Sequence, residues 1–321
     1  MYNPSICVTG GFGFIGSNFV AHLNSLGITP LVIENLSNAG EKWRNVIGLS
    51  FTLIARDEIP WGATVVHLAA NVDTTEAFNC SLWDNNINYS LALHRETVSR
   101  GGRFIYASSA ATYGAEESDF RERIDGLKPL NAYGFTKWQL DNALKDKQAI
   151  GLRFFNVFGP REGHKGRMAS VVHNALTLKS PLYTPAVEMS SRSIRTKSDL
   201  AHWSLFKSHR EGVSNGEQCR DFIYCQDVCK IIHRAIFKEV PSGIYNVGTG
   251  VARTFNDLVK AVDPTLSVRY VDMPSDLHNQ YQYRTCADIS RLRTVLGYTA
   301  PFATLEEGIA KTRAFLADNP L

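Results

Sequence analysis

Length, composition and charge describe a chain that folds around a large core. It has 321 residues, of which 44% are apolar and 20% are charged, and its formal net charge is +3. These values are typical of a packed soluble protein, and they exclude intrinsic disorder, collagen-like repeats and coiled coils. The small net charge gives no reason to expect nucleic acid or an anionic membrane as a partner. Because no apolar run approaches the roughly 20 residues that span a bilayer, we expect a cytoplasmic protein.

The six cysteines do not have the spacing of a disulfide scaffold. Cys219, Cys225 and Cys229 cluster in the sequence, so a metal site has to be considered. No CxxC pair occurs, and no histidine nearby falls at ligand spacing. The sequence therefore predicts no metal site and free thiols in a reducing compartment.

Strand and helix patterns alternate along the chain. Continuous apolar runs, typical of parallel strands covered on both faces, lie at 5–9, 31–33, 64–68, 103–107, 151–155 and 243–248. Helical apolar spacing is found at 17–26, 255–262 and 305–316. The alternation predicts an α/β fold, a Rossmann-type doubly wound parallel sheet with a smaller C-terminal substrate-binding lobe.

A glycine motif lies between the first strand and the first helix. Gly10, Gly13 and Gly16 form GxxGxxG at that turn. The turn must be sharp, the backbone must approach a diphosphate, and the helix must pack close to the sheet, and each step favours a residue without Cβ. The N-terminus of the helix adds free N–H groups and the positive end of its dipole. The motif predicts dinucleotide binding.

The residues after the second strand leave the choice between NAD and NADP open. Glu34 ends that strand, where an acid binds the ribose 2′-hydroxyl and disfavours a 2′-phosphate. Lys42 and Arg44 follow closely, and they are either 2′-phosphate ligands or solvated surface charges.

Tyr133 and Lys137 form YxxxK, a spacing that puts both on one face of a helix. The ammonium group can favour tyrosinate by proximity, and the tyrosine can then remove a hydroxyl proton while hydride leaves the same carbon. Ser109 follows a predicted strand and can donate a hydrogen bond to the reacting oxygen. Together the three residues predict a site for hydride transfer.

These motifs resemble those of the extended short-chain dehydrogenase/reductase family. TGGFGFIG at 9–16, HLAA at 67–70, SSAATYG at 108–114 and YGFTK at 133–137 stand in the family's order. Residues 153–170, which include GPREGHKG, resemble more specifically the branch of ADP-glyceromanno-heptose 6-epimerases. DNN at 84–86, RDFIY at 220–224 and the Tyr281–Gln282 pair support the same branch.

The resemblance implies a reaction and a cofactor. Members of this branch interconvert ADP-D-glycero- and ADP-L-glycero-manno-heptose with tightly held NADP. C6 of the heptose is oxidised to a ketone, which takes the hydride back on its other face. Tyr133 would be the acid/base group on one side, and Lys165 matches the second base. From the residues alone, the favoured role of Lys165 is that of a phosphate ligand beside Arg161, with a base of lowered pKa as the alternative.

The resemblance also assigns binding residues. The cofactor positions are Gly10, Gly13, Phe14, Ile15, Gly16, Glu34, Asn35, Lys42, Leu68, Ala69, Ala70, Asn86, Lys137 and Val157. The substrate positions are Ser109, Asn156, Arg167, Asn174, Phe206, Lys207, Ser208, His209, Arg220 and Tyr281.

The chain departs from the branch at several of these places. Glu34 replaces an aspartate, Arg167 stands where a small serine is usual, and Asn174 occupies the position of a substrate histidine. The segment between the second strand and Thr64 has lost a helix. The region at 180–203 is longer than in the family.

We therefore expect a nucleotide-binding domain at 1–160, to which 220–248 returns, and a nucleotide-sugar lobe at 161–219 and 249–321. Residues 180–215 form an irregular surface insertion in that lobe. An ADP-sugar or another nucleotide sugar is the expected partner, in a homo-oligomer. The alternatives are another NAD(P)-dependent nucleotide-sugar 4-epimerase, a dehydratase or a reductase, and outside enzymes a cofactor-binding protein without catalysis.

Overall fold

The computed structural model describes residues 5–74, 77–177 and 202–319. Its strands are β1 (Ile6–Thr9), β2 (Leu31–Ile33), β3 (Thr52–Leu53), β4 (Thr64–His67), β5 (Arg103–Ser109), β6 (Ile150–Phe154), β7 (Asn156–Phe158), β8 (His202–Phe206), β9 (Cys219–Tyr224), β10 (Gly243–Val247), β11 (Ala252–Thr254) and β12 (Ser267–Val271). Its α-helices are α1 (Phe14–Ser25), α2 (Cys80–Trp83), α3 (Tyr89–Ser99), α4 (Ala132–Leu144), α5 (Val171–Leu176), α6 (Cys225–Phe237), α7 (Phe255–Val262), α8 (Ser275–His278), α9 (Ser290–Thr294) and α10 (Leu305–Asp318).

The main sheet has seven strands in the order β10-β6-β5-β4-β1-β2-β3. Every neighbouring pair in it is parallel. The chain moves outward from β1 through β2 to β3 on one side and from β4 through β5 and β6 to β10 on the other. The predicted doubly wound Rossmann-type sheet is confirmed, and its switch point lies between β1 and β4, where ligands bind beyond the carboxyl ends of the strands.

Both faces of the sheet are buried, as a parallel sheet requires. Val8 and Val66 pack with α1 and α6 in one core, whereas their neighbours Cys7 and Val65 pack with α3 and α4 in another. This alternation follows from the period of two along a strand. The continuous apolar runs in the sequence reflect this burial on both faces.

Two smaller sheets lie outside the main one. β7 and β11 flank β9, and β12 pairs with β8 in parallel. A third core, with α5, α7 and α10, packs against these strands. The edge strand β10 belongs to the main sheet, so the chain returns to that sheet after β9.

The predicted elements are confirmed with differences at their ends. α1 begins at Phe14, three residues before the predicted start, because Gly13 is its N-cap and the glycine turn leads directly into the helix. β5 extends to Ser109 and carries two serines to the end of the sheet. The predicted insertion at 180–215 falls largely on 178–201, outside the described residues.

The segment between β2 and β4 is short, and the described chain there forms 3-10 helices and the two-residue strand β3 rather than an α-helix. The described residues of this segment therefore contain no α-helix. Three more short helices complete the described chain: 3-10 helices at Ala110–Tyr113 and Gly163–Met168 and a π-helix at Asp84–Asn88. Among the helices described, none has the length and apolar character needed to cross a bilayer.

Candidate active site

In the glycine turn at the end of β1, two glycines have no room for a side chain. Gly10 has a φ of +69°, a conformation that favours glycine. A Cβ at Gly10 would lie 2.8 Å from the Cα of Ala69, and one at Gly16 would lie 2.1 Å from the carbonyl oxygen of Gly10. The turn, the end of β4 and the first turn of α1 therefore pack backbone against backbone.

The first turn of α1 is open to an anion. Its N-cap is Gly13, and within the described residues no side chain accepts a hydrogen bond from the backbone N–H groups of this turn. Phe14 and Ile15, two predicted cofactor residues, belong to this turn. Free N–H groups and the helix dipole suit a phosphate, so the turn fits the diphosphate of a dinucleotide.

Glu34 lies beside the same turn. The backbone N–H of Phe12 donates a hydrogen bond to its Oε2 atom at 2.9 Å, which holds the carboxylate at the end of β2. The side chain of Asn35 accepts a hydrogen bond from the backbone N–H of Ser37. Glu34 therefore stands where an acid can contact a ribose.

The two candidate cations after β2 differ in their surroundings. Arg44 pairs with Glu41 on the surface. Lys42 lies close enough to His164 to contribute, after burial and Lys165, to a pKa of that imidazole lowered to about 4. Of the two cations, Lys42 is therefore the one whose charge acts on the loop that contains GPREGHKG.

Helix α4 brings the YxxxK pair to the end of β5. Asn131 caps the helix by accepting a hydrogen bond from the backbone N–H of Gly134. The Nζ of Lys137 donates to the carbonyl oxygen of Ala107 at 2.8 Å and lies 5.9 Å from the ring centre of Tyr133. Ser109 lies close enough to Tyr133 to act on the pKa of its hydroxyl. The structure therefore brings these three predicted catalytic residues together.

Burial shifts the pKa values of Lys137 and Tyr133. Lys137 is 3% exposed, and burial lowers its pKa to about 8, although Asp141 opposes the change. Burial raises the pKa of Tyr133, and the nearby side chain of Ser109 opposes that rise. The side chains alone therefore keep the tyrosine protonated near neutral pH, and a further positive charge is needed to make it a base.

A buried chain of hydrogen bonds links the glycine turn to α4, and sequence reasoning missed it. The Nδ1 of His67 pairs with the hydroxyl of Thr9 at 2.6 Å, and its Nε2 pairs with the hydroxyl of Ser90 at 2.8 Å. Since the Ser90 hydroxyl donates to the carbonyl oxygen of Asn86, it accepts from the imidazole, whose proton is therefore on Nε2. Burial, with Lys137, lowers the pKa of His67 to about 3, so the ring is neutral.

The chain of hydrogen bonds continues through Asn86, a predicted cofactor residue. Its side chain accepts from the backbone N–H of Asn71 and donates to the hydroxyl of Thr136, between Tyr133 and Lys137. Leu68, Ala69 and Ala70 follow β4 directly, and the N–H of Ala69 donates to Thr9. Hydrogen bonds thus connect the ends of β1 and β4, and through Asn86 the loop at Asn71, with helix α4.

Lys165 lies against the first turn of α1. Its Nζ is 3.3 Å from the carboxylate of Glu162 and 5.0 Å from the ring centre of Phe14. Glu162 is fully buried and also accepts hydrogen bonds from Gly159 and Ser170. These contacts are compatible with either predicted role of Lys165, base or phosphate ligand.

Arg220 is a buried cation that lies against two aromatic rings. It is 8% exposed, and its guanidinium stacks between the rings of Phe255 and Tyr281 at 5.5 and 5.1 Å. Within the ranges that the structure describes, no carboxylate lies at ion-pair distance from it. Its charge is thus held in place for an anion.

Several predicted substrate residues gather around two tyrosines. The ring of Phe206 contacts Tyr281, and Ser208 and His209 hydrogen-bond to the hydroxyl of Tyr283. His209 and Tyr281 line a cavity of about 280 Å³. Asn156 begins β7, which pairs with β9, and accepts a hydrogen bond from Thr285.

Other predicted residues lie apart from this group. Lys207 pairs with Asp272 at 3.0 Å on the surface, and the buried amide of Asn174 donates to the carbonyl oxygen of Ala169. Val157 is half-buried in β7, and the side chain of Arg167 lies outside the described residues. In the described chain, no group of three histidines, cysteines or acids could hold a metal ion.

We expect Gly16→Ala to lower the free energy of unfolding by about 1–3 kcal/mol, the usual cost of overpacking, and to weaken binding of a nicotinamide dinucleotide. Gly13→Ala is the milder variant for comparison, because its Cβ would lie 3.2 Å from the same carbonyl oxygen. It should lower the free energy of unfolding by less than Gly16→Ala does. Urea unfolding and fluorescence titration measure both effects. Equal stability of Gly16→Ala and the wild type would contradict the packing described.

Sequence relatives match nearly the whole chain. It is 37% identical to the ADP-L-glycero-D-manno-heptose-6-epimerase of Fusobacterium nucleatum, over 95% of both chains. It is 36% identical to the enzyme of the same name from Nitratidesulfovibrio vulgaris, over 97% of both chains.

Solved structures agree in fold. The ADP-L-glycero-D-manno-heptose-6-epimerase of Helicobacter pylori matches with a TM-score of 0.77 and 28% identity, over 98% of this chain and 96% of that one. The UDP-N-acetylglucosamine 4-epimerase of Methanobrevibacter ruminantium has the same TM-score at 23% identity, over 99% of both chains, a likeness of fold. Residues 6–248 match the model of the NAD dependent epimerase/dehydratase family. The chain belongs to the NAD dependent epimerase/dehydratase family.

Proposed function

We propose that this protein interconverts ADP-D-glycero-β-D-manno-heptose and ADP-L-glycero-β-D-manno-heptose by transient oxidation at C6, with bound NADP. The observation that carries the redox chemistry is the cluster of Ser109, Tyr133 and Lys137 at the carboxyl end of β5. The relatives of that name, similar over nearly the full length, support the choice of sugar.

The side chains divide the oxidation step between them. Tyr133 takes the proton of the C6 hydroxyl, Ser109 donates a hydrogen bond to the same oxygen, and the charge of Lys137 stabilises the tyrosinate. The cofactor, when bound, supplies the hydride acceptor and a positive ring. Because burial raises the pKa of Tyr133, the tyrosine would act as a base only with that positive charge added to the charge of Lys137.

Inversion needs a second acid/base group, because the hydride returns to the other face of the planar ketone. We propose Lys165 for this role, on its resemblance to the family's second base. Its ammonium pairs with the carboxylate of Glu162 at 3.3 Å, which fixes the position of the group. The alternative, a phosphate ligand, follows from its contact with the first turn of α1.

The substrate's diphosphate finds a partner in Arg220. A guanidinium clamped between two rings and without a carboxylate at ion-pair distance in the described chain is arranged for phosphate oxygens. We propose that Asn156, Phe206, Ser208, His209 and Tyr281 complete the substrate site beside it. Residues Lys207, Asn174 and Arg167 remain proposed contacts on the resemblance alone.

We propose NADP rather than NAD as the cofactor. Lys42 lies near enough to His164 to act on its pKa, and it matches a ribose-phosphate contact of the family that the chain resembles. Glu34 is also present and can contact a ribose hydroxyl, which leaves NAD as the alternative.

The surroundings of Glu116 bear on one alternative to an epimerase, a nucleotide-sugar dehydratase. Such an enzyme would use acids directly after the serine segment, and the nearest here are Glu116 and Glu117. Glu116 accepts hydrogen bonds from the backbone of Ser118 and Asp119 and pairs with Arg123. Those backbone hydrogen bonds lower its pKa to about 2, so it is a poor proton donor, and epimerisation is the better proposal.

The remaining proposals concern organisation. We propose that 1–160 and 220–248 form the nucleotide-binding domain and that 161–219 and 249–321 form the substrate lobe. We also propose a homo-oligomer that acts in the cytoplasm and binds no nucleic acid.

The reaction is tested by incubating the protein with ADP-D-glycero-β-D-manno-heptose in D2O and following C6 by NMR. We expect inversion with protium retained at C6, because the hydride that leaves this carbon returns to it. Deuterium at C6 would contradict the hydride mechanism. Turnover of a UDP- or GDP-sugar without inversion of the heptose would favour another epimerase.

We expect Lys165→Ala to lower epimerisation by at least about 100-fold, the usual contribution of an acid/base group, while it still oxidises and reduces an aldehyde analogue of the substrate. Glu162 keeps its hydrogen bonds from Gly159 and Ser170, so the fold should survive. Lys145→Ala, at an exposed lysine, is the control. Epimerisation that persists in Lys165→Ala would show that Lys165 is not the second base.

We expect Lys42→Ala to weaken binding of NADP by about tenfold or more, the cost of a charged hydrogen bond, and to leave NAD binding unchanged. Arg44→Ala is the matched control, because Arg44 is two residues away and pairs with Glu41. Isothermal titration with each dinucleotide measures the effect. An equal loss of affinity for NAD and NADP would show that Lys42 does not bind the 2′-phosphate.

A further inference from the structure

Asp141 is a fully buried acid on α4, one helical turn after Lys137. Its carboxylate accepts hydrogen bonds from the hydroxyl of Tyr106 at 3.0 Å and from the hydroxyl of Ser108 at 2.9 Å. The Nε of Arg153 donates to it at 2.9 Å. Burial raises the pKa of this carboxyl, and Arg153 and the two hydroxyl donors oppose that rise by stabilising the charged form.

Arg153 is also fully buried. Its Nη1 donates to the carbonyl oxygen of Arg123 at 2.7 Å, and its guanidinium lies 4.9 Å from the ring centre of Tyr113. Burying an ion pair costs desolvation energy that its attraction often does no more than offset. Stability alone is therefore a weak explanation for this acid.

The second cation near Asp141 is Lys137. The groups that face this lysine are the carbonyl of Ala107 on β5, the ring of Tyr133 on α4 and the neutral imidazole of His67 on β4. Asp141 is the one acid whose charge acts on it among the described residues. Without that charge, two cations would be buried with no anion between them.

We infer that Asp141 is a positioning residue whose negative charge keeps the proton on Lys137 and so sets the highest pH at which Tyr133 can act. The inference rests on the proposed function, in which Tyr133 is the base and needs the charge of Lys137. Burial lowers the pKa of Lys137 to about 8 and Asp141 opposes that change. The ammonium is therefore present below about pH 8 and is lost as the pH rises through that value.

The test measures the titration of Lys137 directly. The chain is labelled with [ε-13C]lysine, and the signal of Lys137 is identified by its loss in Lys137→Met. We expect a midpoint near pH 8 in the wild type and a midpoint at least about one pH unit lower in Asp141→Asn, the usual effect of losing a nearby opposite charge. The alkaline limb of kcat should move in the same direction.

Asp125→Asn is the matched control, because Asp125 is exposed and pairs with Lys145 at the other end of α4. It should leave the midpoint and the alkaline limb unchanged. If Asp141→Asn does not fold, Asp141→Asn/Arg153→Met removes both buried charges together, and its midpoint should also fall.

An unchanged midpoint in a folded Asp141 variant would overturn the inference and leave Asp141 a structural residue. The titration needs no substrate. A protein that fails to invert the heptose would therefore refute the proposed function without affecting this result.

Discussion

The site depends on the stabilisation of one buried charge, the ammonium group of Lys137. A charged lysine that is 3% exposed is costly unless other groups stabilise it. Here the carbonyl of Ala107 accepts its hydrogen bond and Asp141 supplies the opposite charge. Burial lowers the pKa of Lys137, and it also strengthens the electrostatic effect of the ammonium on Tyr133, because charges interact more strongly where water is excluded.

The fold explains why these groups meet. β1, β4 and β5 are adjacent and parallel, so their carboxyl ends lie at one edge of the sheet. The glycine turn leaves β1, the His67 segment ends β4, and Ser109 ends β5. Helix α4 crosses the same edge and is joined to it through Asn86. A diphosphate bound at the glycine turn and an alcohol bound at Tyr133 would thus lie at the same edge of the sheet, beside strand ends that are separated by β4.

Much of this could be predicted from sequence. The strands, the glycine turn and the YxxxK spacing are local patterns, and each constrains its own neighbourhood. Gly10 contacts Ala69, which is 59 positions away in the sequence. The glycine in the motif still indicates such a close approach of two backbones, because a residue with a Cβ would not fit.

Other features could not be predicted, because they depend on partners that the fold alone brings together. Thr9, His67 and Ser90 look like ordinary strand and helix residues until the sheet places them in one chain of hydrogen bonds. Asp141 and Arg153 carry no local pattern either. The start of α1 was misplaced for a related reason, since the turn that begins it is defined by packing against β1 and β4.

The most direct test of the account is a crystal structure of the protein with a nicotinamide dinucleotide and an unreactive ADP-heptose analogue. The account predicts that the hydroxyl of Tyr133 lies within about 3 Å of the C6 oxygen of the sugar and that C6 lies within about 3.5 Å of the reactive carbon of the nicotinamide ring. A sugar bound with C6 far from Tyr133, or a dinucleotide bound away from the glycine turn, would contradict it.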